Sequence, residues 1–181
     1  MSKLVPLPAG MRGAAFFSNE VPPQYRHLVS RWWTPNGKPS RRFLMWIGQN
    51  PSDGGASMND PTISKECKFT KAFGYDTYVK LNVMDRIATK PAQLLKCRGL
   101  QCSMENIERI MSFAGKADKV VCCWGALHAS LQPHATAVER VLREAGIPLY
   151  CVLLNAGGTP AHPLYVLDSA TLQSYEANRK L

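Results

Sequence analysis

Residues 42–48 read RFLMWIG and run directly into QNPS at 49–52. Phe43 to Ile47 are consecutive apolar residues, a run too short for a buried helix and suited to a strand covered on both faces. The abrupt change to polar residues at Gln49 places a loop at the carboxyl end of that strand. The same design recurs at residues 78–84 (YVKLNVM), 119–124 (KVVCCW) and 149–154 (LYCVLL).

Helical stretches separate these runs. Residues 65–73 carry Cys67, Phe69 and Phe73 at helical spacing, with Gly74 to stop them. Pro91 starts a short helix to residue 95. Residues 103–117 open with Ser103 and Asn106 in the positions of a capping box and continue amphipathically. Residues 136–145 end at Gly146, and residues 170–179 form a terminal helix. Strand–helix alternation predicts a three-layer α/β/α sandwich around a mainly parallel, four-stranded central sheet.

Before the sheet, residues 1–24 carry Pro6, Pro8, Pro22 and Pro23 and read as an irregular arm. Residues 25–33 alternate as a strand, and the turn at 34–40 contains Asn36-Gly37, the strongest hairpin signal in the chain. The expectation is an N-terminal β-hairpin leading into residues 42–48, within a single α/β domain over 25–181.

The composition fits a globular protein: 45% hydrophobic, 19% charged, 181 residues. A net charge of +9 favours a polyanionic partner, and nucleic acid is the expected one; solubility is the competing explanation. Basic residues cluster at Arg41–Arg42, across 65–71 and across 90–98. No secretory signal is read at residues 1–13, so the six cysteines are expected as reduced thiols in a cytoplasmic protein. Cys97 and Cys102 have neither spacing nor histidines for zinc, and no metal or cofactor is expected. No stretch is apolar enough for a membrane span, and a monomer is the default assembly.

In a parallel sheet the site lies beyond the carboxyl ends of the strands. There the sequence places Gln49-Asn50-Pro51-Ser52, Asn82 with Asp85-Arg86, Trp124-Gly125, and residues 155–163. Asn50 precedes a proline, which favours extended backbone. Its amide suits a water or a ligand edge, and a turn role competes. Asn82 interrupts an apolar strand and needs a partner from backbone, water or ligand. Asp85 and Arg86 could pair locally. His162, flanked by Pro160 and Pro163 after Gly157-Gly158, sits where a ligand can be approached closely. Asp53 and Asp60 are candidate general bases, and each also suits a turn. Phe69 and Trp124 could stack on a base, with core packing the stronger reading for Trp124. Dinucleotide, triphosphate, zinc-protease and nucleophile-elbow motifs do not occur.

Taken together, Asn50-Pro51-Ser52, Asp60-Pro61-Thr62, Asn82 with Arg86-Ile87-Ala88-Thr89, Trp124-Gly125 and His162-Pro163-Leu164-Tyr165 resemble a bacterial and phage family catalogued only as a domain of unknown function. The resemblance spans residues 25–165. More distantly the layout is similar to the uracil-DNA glycosylase superfamily. That similarity implies a water-positioning Asn50, a base-reading Asn82, a His162-Pro163 loop that supports the departing base, and Phe69 as the stacking ring. Ser52 replaces a glycine of that pattern, and Leu164-Tyr165 replace Ser-Pro. The resulting expectation is a DNA glycosylase-like enzyme that hydrolyses the N-glycosidic bond of a modified or damaged base. A nucleotide- or nucleoside-processing hydrolase on the same fold and a non-catalytic nucleic-acid binder are the alternatives. Asn50, His162, Asp53 and Asp60 would carry catalysis; Asn82, Phe69, Arg86, Pro51, Ser52, Trp124 and Pro163 would bind substrate.

Overall fold

A computed structural model of the protein describes residues 3–97 and 101–176. The apolar run beginning at Phe43 forms strand β4 (Leu44–Gly48), every residue of which is buried. Parallel strands flank it, β6 (Thr77–Asn82) on one side and β7 (Lys119–Cys122) on the other. Strand β8 (Leu149–Cys151) runs parallel to β7. The four expected strands are therefore neighbours with one direction, and their carboxyl ends open on one side.

The sheet is larger than expected and mixed. Strand β3 (Arg26–Trp32) pairs antiparallel with β6, β2 (Arg12–Phe17) pairs antiparallel with β3, and β9 (Gln173–Ser174) pairs antiparallel with β8. The spatial order is β2-β3-β6-β4-β7-β8-β9. Outside it, β1 (Val5–Pro6) pairs with β5 (Met58–Asn59). The helices are α1 (Pro61–Ala72), α2 (Pro91–Lys96), α3 (Asn106–Ala114) and α4 (Gln132–Glu144).

Helices cover both faces. Ile63, Cys67 and Phe69 of α1 pack on Leu44, Trp46 and Tyr78. On the other face Ile110 of α3 and Val138 and Leu142 of α4 meet Met45, Ile47 and Leu81. Among the described residues, no helix is long and apolar enough to cross a membrane.

Four local expectations are corrected. Asn36-Gly37 does form a turn, with Gly37 at φ +67 and its N–H donating to the Thr34 carbonyl at 3.0 Å. Yet β3 does not pair with β4, because β6 lies between them. The turn satisfies itself locally, whereas strand pairing is decided by long-range burial, and the N-terminal hairpin is β2–β3. The stretch read as an irregular arm supplies β1 and β2. The capping box at Ser103 does not form, since Asp85 takes both Ser103 groups: its N–H at 2.7 Å and its hydroxyl at 2.6 Å. Finally, the terminal helix is replaced over its described part by β9, where Tyr175 is buried and its N–H donates to the Leu149 carbonyl. Residues 177–179 lie outside the described residues.

Candidate functional site

A pocket of about 240 Å³ opens at the carboxyl ends of β4 and β6. Asn50, two residues beyond β4, stands on its wall. Its Nδ2 donates to the Pro51 carbonyl at 2.9 Å and to the Ala88 carbonyl at 2.8 Å. Both amide hydrogens are thereby used, which fixes the side chain and leaves Oδ1 as the group that can accept. The Ala88 N–H in turn donates to the Pro51 carbonyl at 3.0 Å. Pro51 is buried as part of this lacing and does not line the pocket.

His162 comes to the same pocket from the loop after β8. Gly125 makes room for it: a Cβ there would stand 3.2 Å from the His162 Cβ, and φ is +75. A weak bond from the Leu164 N–H to His162 Nδ1 (3.4 Å) caps a short 3₁₀ turn, Pro163–Tyr165. An accepting Nδ1 leaves the proton on Nε2, so the neutral ring is a donor. Burial, and then the Lys80 ammonium, hold the His162 pKa below the ordinary histidine range. Pro163 is buried and turns the chain; it does not line the pocket.

The floor is a buried ionic network. Lys80 Nζ donates to both Glu66 oxygens, at 2.7 and 2.9 Å, and the Tyr78 hydroxyl donates to Glu66 at 2.7 Å. Burial opposes the Lys80 charge, but Glu66 and its buried neighbours more than offset this and raise its pKa. Asn82 lies beside Lys80. A Cβ on Gly48 would be 2.9 Å from both Asn82 Oδ1 and Lys80 Cε, so the missing side chain makes space for both. Asn82 is 1% exposed, and neither end of its amide has a hydrogen-bond partner. An unpaired buried amide is costly, and this one sits next to an open pocket.

Two buried arginines of β3 hold the first loop. Arg26 Nη1 donates to the Gly54 carbonyl and, at 3.3 Å, to that of Ser52. Arg31 bonds the carbonyls of Gly55 and Met58 and the Asn59 side chain. Burial lowers the pKa of both guanidinium groups. Arg26 also lines the pocket.

Among the sequence-predicted residues, the pocket gathers Asn50, Ser52, Asp60 and His162, with Asn82 just outside its wall. Asp60 is the N-cap of α1, accepting from the Ile63 N–H at 2.8 Å. The others lie elsewhere. Phe69 is buried against Trp46 and Phe73, so it cannot stack on a ligand in the pocket. Trp124 is buried and meets Tyr175 edge-on. Asp53 is exposed outside the pocket and accepts from Thr89. Arg86 lies over the Tyr25 ring at 5.7 Å, while its neighbour Asp85 is held by His27 and Ser103. Lys80, Glu66 and Arg26 were missed. A lysine inside YVKLNV was a visible signal, because a charge in a doubly covered strand needs a partner.

Fold and site define an α/β protein with a polar, cation-floored pocket beyond the carboxyl ends of its parallel strands. Residues 26–164 match the family described as "Protein of unknown function (DUF1643)", and the chain belongs to that family. No curated protein and no solved structure matches it.

Proposed function

We propose that this protein hydrolyses the N-glycosidic bond of a modified or damaged base in DNA, on a three-layer sandwich of the uracil-DNA glycosylase type. The observation that carries the proposal is the pairing of a fixed acceptor with a donor in one pocket. Asn50 Oδ1 is held by its own amide bonds, and His162 presents Nε2–H. Hydrolysis needs both. A water oxygen must be directed at the sugar carbon, and the electron pair of the breaking C–N bond must be received on the base.

In this reading Asn50 holds the water, with Asp60 as the carboxylate that shares the pocket wall and assists. Asp53, exposed outside the pocket, drops out of that role. The new bond joins the water oxygen to the sugar carbon, the C–N bond breaks toward the base, and the water proton passes to solvent or the departing base. His162 and the cations Lys80 and Arg26 supply positive potential where negative charge develops. The target nucleotide leaves the stack to enter. With Phe69 buried, Ala88, Pro61 and Leu164 are the apolar walls offered to it.

A nucleoside- or nucleotide-processing hydrolase is the second reading. It is favoured by the small pocket, whose wall carries no phenylalanine, tyrosine or tryptophan ring among the described residues. The test is release of free base from oligonucleotides carrying uracil, hydroxymethyluracil and other modified pyrimidines, run beside the free nucleosides and nucleotides. Turnover of the free compounds alone selects the second reading. Turnover of neither, with oligonucleotide binding retained, leaves the binding protein.

A further inference from the structure

The amino ends of the strands, opposite the pocket, carry a surface that the proposed reaction does not use. Across the sheet in spatial order, Trp33 follows β3, Tyr75 precedes β6, Arg42 precedes β4, Lys119 opens β7 and Tyr150 lies within β8. Their contacts form a chain. Lys71 Nζ stands 4.8 Å from the centre of the Trp33 ring, and Lys71, Arg42 and Tyr75 share one surface depression. The Arg42 guanidinium lies 4.5 Å over the Tyr75 ring. The Tyr75 hydroxyl donates to Asp118, which also receives Arg42 Nε at 3.3 Å. Lys119 Nζ then stands 4.3 Å over the Tyr150 ring. Three cation–ring pairs thus lie along five neighbouring strands, the middle ring, Tyr75, buried beneath Arg42, in a row of about 20 Å at ordinary strand spacing.

We infer that this row is a docking surface for single-stranded nucleic acid. Charge complementarity is the first argument. Exposed Arg41 and Lys116 flank the row; of its carboxylates, Asp76 shares the depression with Arg42 and Lys71, and Asp118 is occupied by Arg42 and Tyr75, so the cations remain in excess. Each phosphate neutralised releases counterions. The second argument is form. Lysine and arginine heads resting on ring faces are held in place, so little side-chain freedom remains to be lost on binding. Half-buried Trp33 and Tyr150 leave ring surface beside those heads, the combination that suits bases and phosphates in alternation. No large aliphatic side chain is exposed in the row, which disfavours a protein partner. The row and the pocket are separated by the length of the strands, roughly 17 Å. A polynucleotide held there has a second point of attachment, independent of whether the pocket cleaves glycosidic bonds.

The test is fluorescence anisotropy with a labelled oligothymidylate somewhat longer than roughly 16 nucleotides, titrated over a range of salt. The proteins are the wild type, the triple variant Arg42→Gln/Lys71→Gln/Lys119→Gln, and a pocket-end control, Lys90→Gln/Lys96→Gln. The triple variant should bind at least about tenfold more weakly, with the log–log salt slope reduced by about two. The Lys90→Gln/Lys96→Gln protein, changed beside the pocket that the proposed reaction uses, should lose less affinity than the triple variant does. A second variant, Arg41→Gln/Lys116→Gln, leaves Arg42, Lys71 and Lys119 on their rings and should weaken binding in the same direction even if the triple variant melts early. The inference is overturned by a wild type that does not bind at low salt, by ring-row variants that bind normally, or by polyglutamate displacing the probe as well as unlabelled oligonucleotide does.

Discussion

Asn50 does two things that a substitution can separate. Its nitrogen ties two carbonyls, and its oxygen is the proposed water acceptor. Asn50→Asp keeps the shape and an acceptor but loses the two amide bonds; Asn50→Ala loses everything. Both should melt within a few degrees of the wild type, because the residue is only half buried, while Asn50→Ala should slow base release roughly a hundredfold or more. For His162 the pH dependence of stability has a defined sign. Its pKa in the folded protein lies below the ordinary value, first through burial and then through Lys80. The fold therefore resists protonation that the unfolded chain accepts. Stability is unaffected above the ordinary histidine pKa and is lost as pH falls from there through the depressed folded value. His162→Gln should consequently lose less melting temperature than the wild type between neutral pH and about pH 5. An equal loss in both proteins contradicts this assignment. Lys80 and Glu66 make a different prediction. Glu66→Gln leaves a buried ammonium without its counter-charge and should cost about 3–5 kcal/mol in denaturant unfolding, whereas Glu66→Gln/Lys80→Met should recover much of that.

At the scale of elements, the strands were legible and their edges were not. Residues 42–48, 78–84, 119–124 and 149–154 announce themselves because a strand covered on both faces must be apolar throughout. β2 (RGAAFF) alternates exposed and half-buried positions with none fully buried, and its consecutive Ala14 to Phe17 do not alternate with polar residues, so it lacks the pattern of a strand with one covered face. β9 has only two residues and reads like a helix end. Site residues followed the same logic. Asn50 and His162 stood out as polar side chains next to prolines at strand ends. Asp60-Pro61 spells a helix start, cap followed by proline, and the same cap stands on the pocket wall. Arg26 was invisible because it lies at the amino end of β3, an antiparallel strand, which faces the carboxyl ends of the parallel ones. Element geometry yields its own test at Gly48, the last residue of β4. A methyl group there would press on Asn82 and Lys80 at 2.9 Å. Gly48→Ala should lower stability by about 1–3 kcal/mol, a fall of several degrees in melting temperature for a chain of this size. An unchanged melting curve would show that the floor of the pocket yields freely.

For the whole molecule, the sheet separates two kinds of charge. Of the cations, at the carboxyl ends Lys80 and Arg26 are buried, Lys65 and Lys68 on the nearby helix are tied to Asp168, and Lys90 and Lys96 are exposed. At the amino ends they are exposed and rest on rings. Lys90 and Lys96 lie on the side of the Asn50 and His162 loops, whereas Arg41, Arg42 and Lys71 face the other way. The six thiols are all unpaired, and burial pushes those of Cys122 and Cys123 well above the ordinary range. The architecture thus depends on sheet packing and leaves Asn82 with an unsatisfied amide beside the pocket. The central claim is that Asn50 and His162 act on one bound nucleotide. It is tested most directly by quantifying free base released from modified-pyrimidine oligonucleotides by wild type, Asn50→Ala and His162→Ala, with melting curves alongside. The wild type should release base, and each variant should lose roughly a hundredfold or more in rate at nearly unchanged melting temperature. Full release by both variants, or none by the wild type across the panel, would contradict that claim.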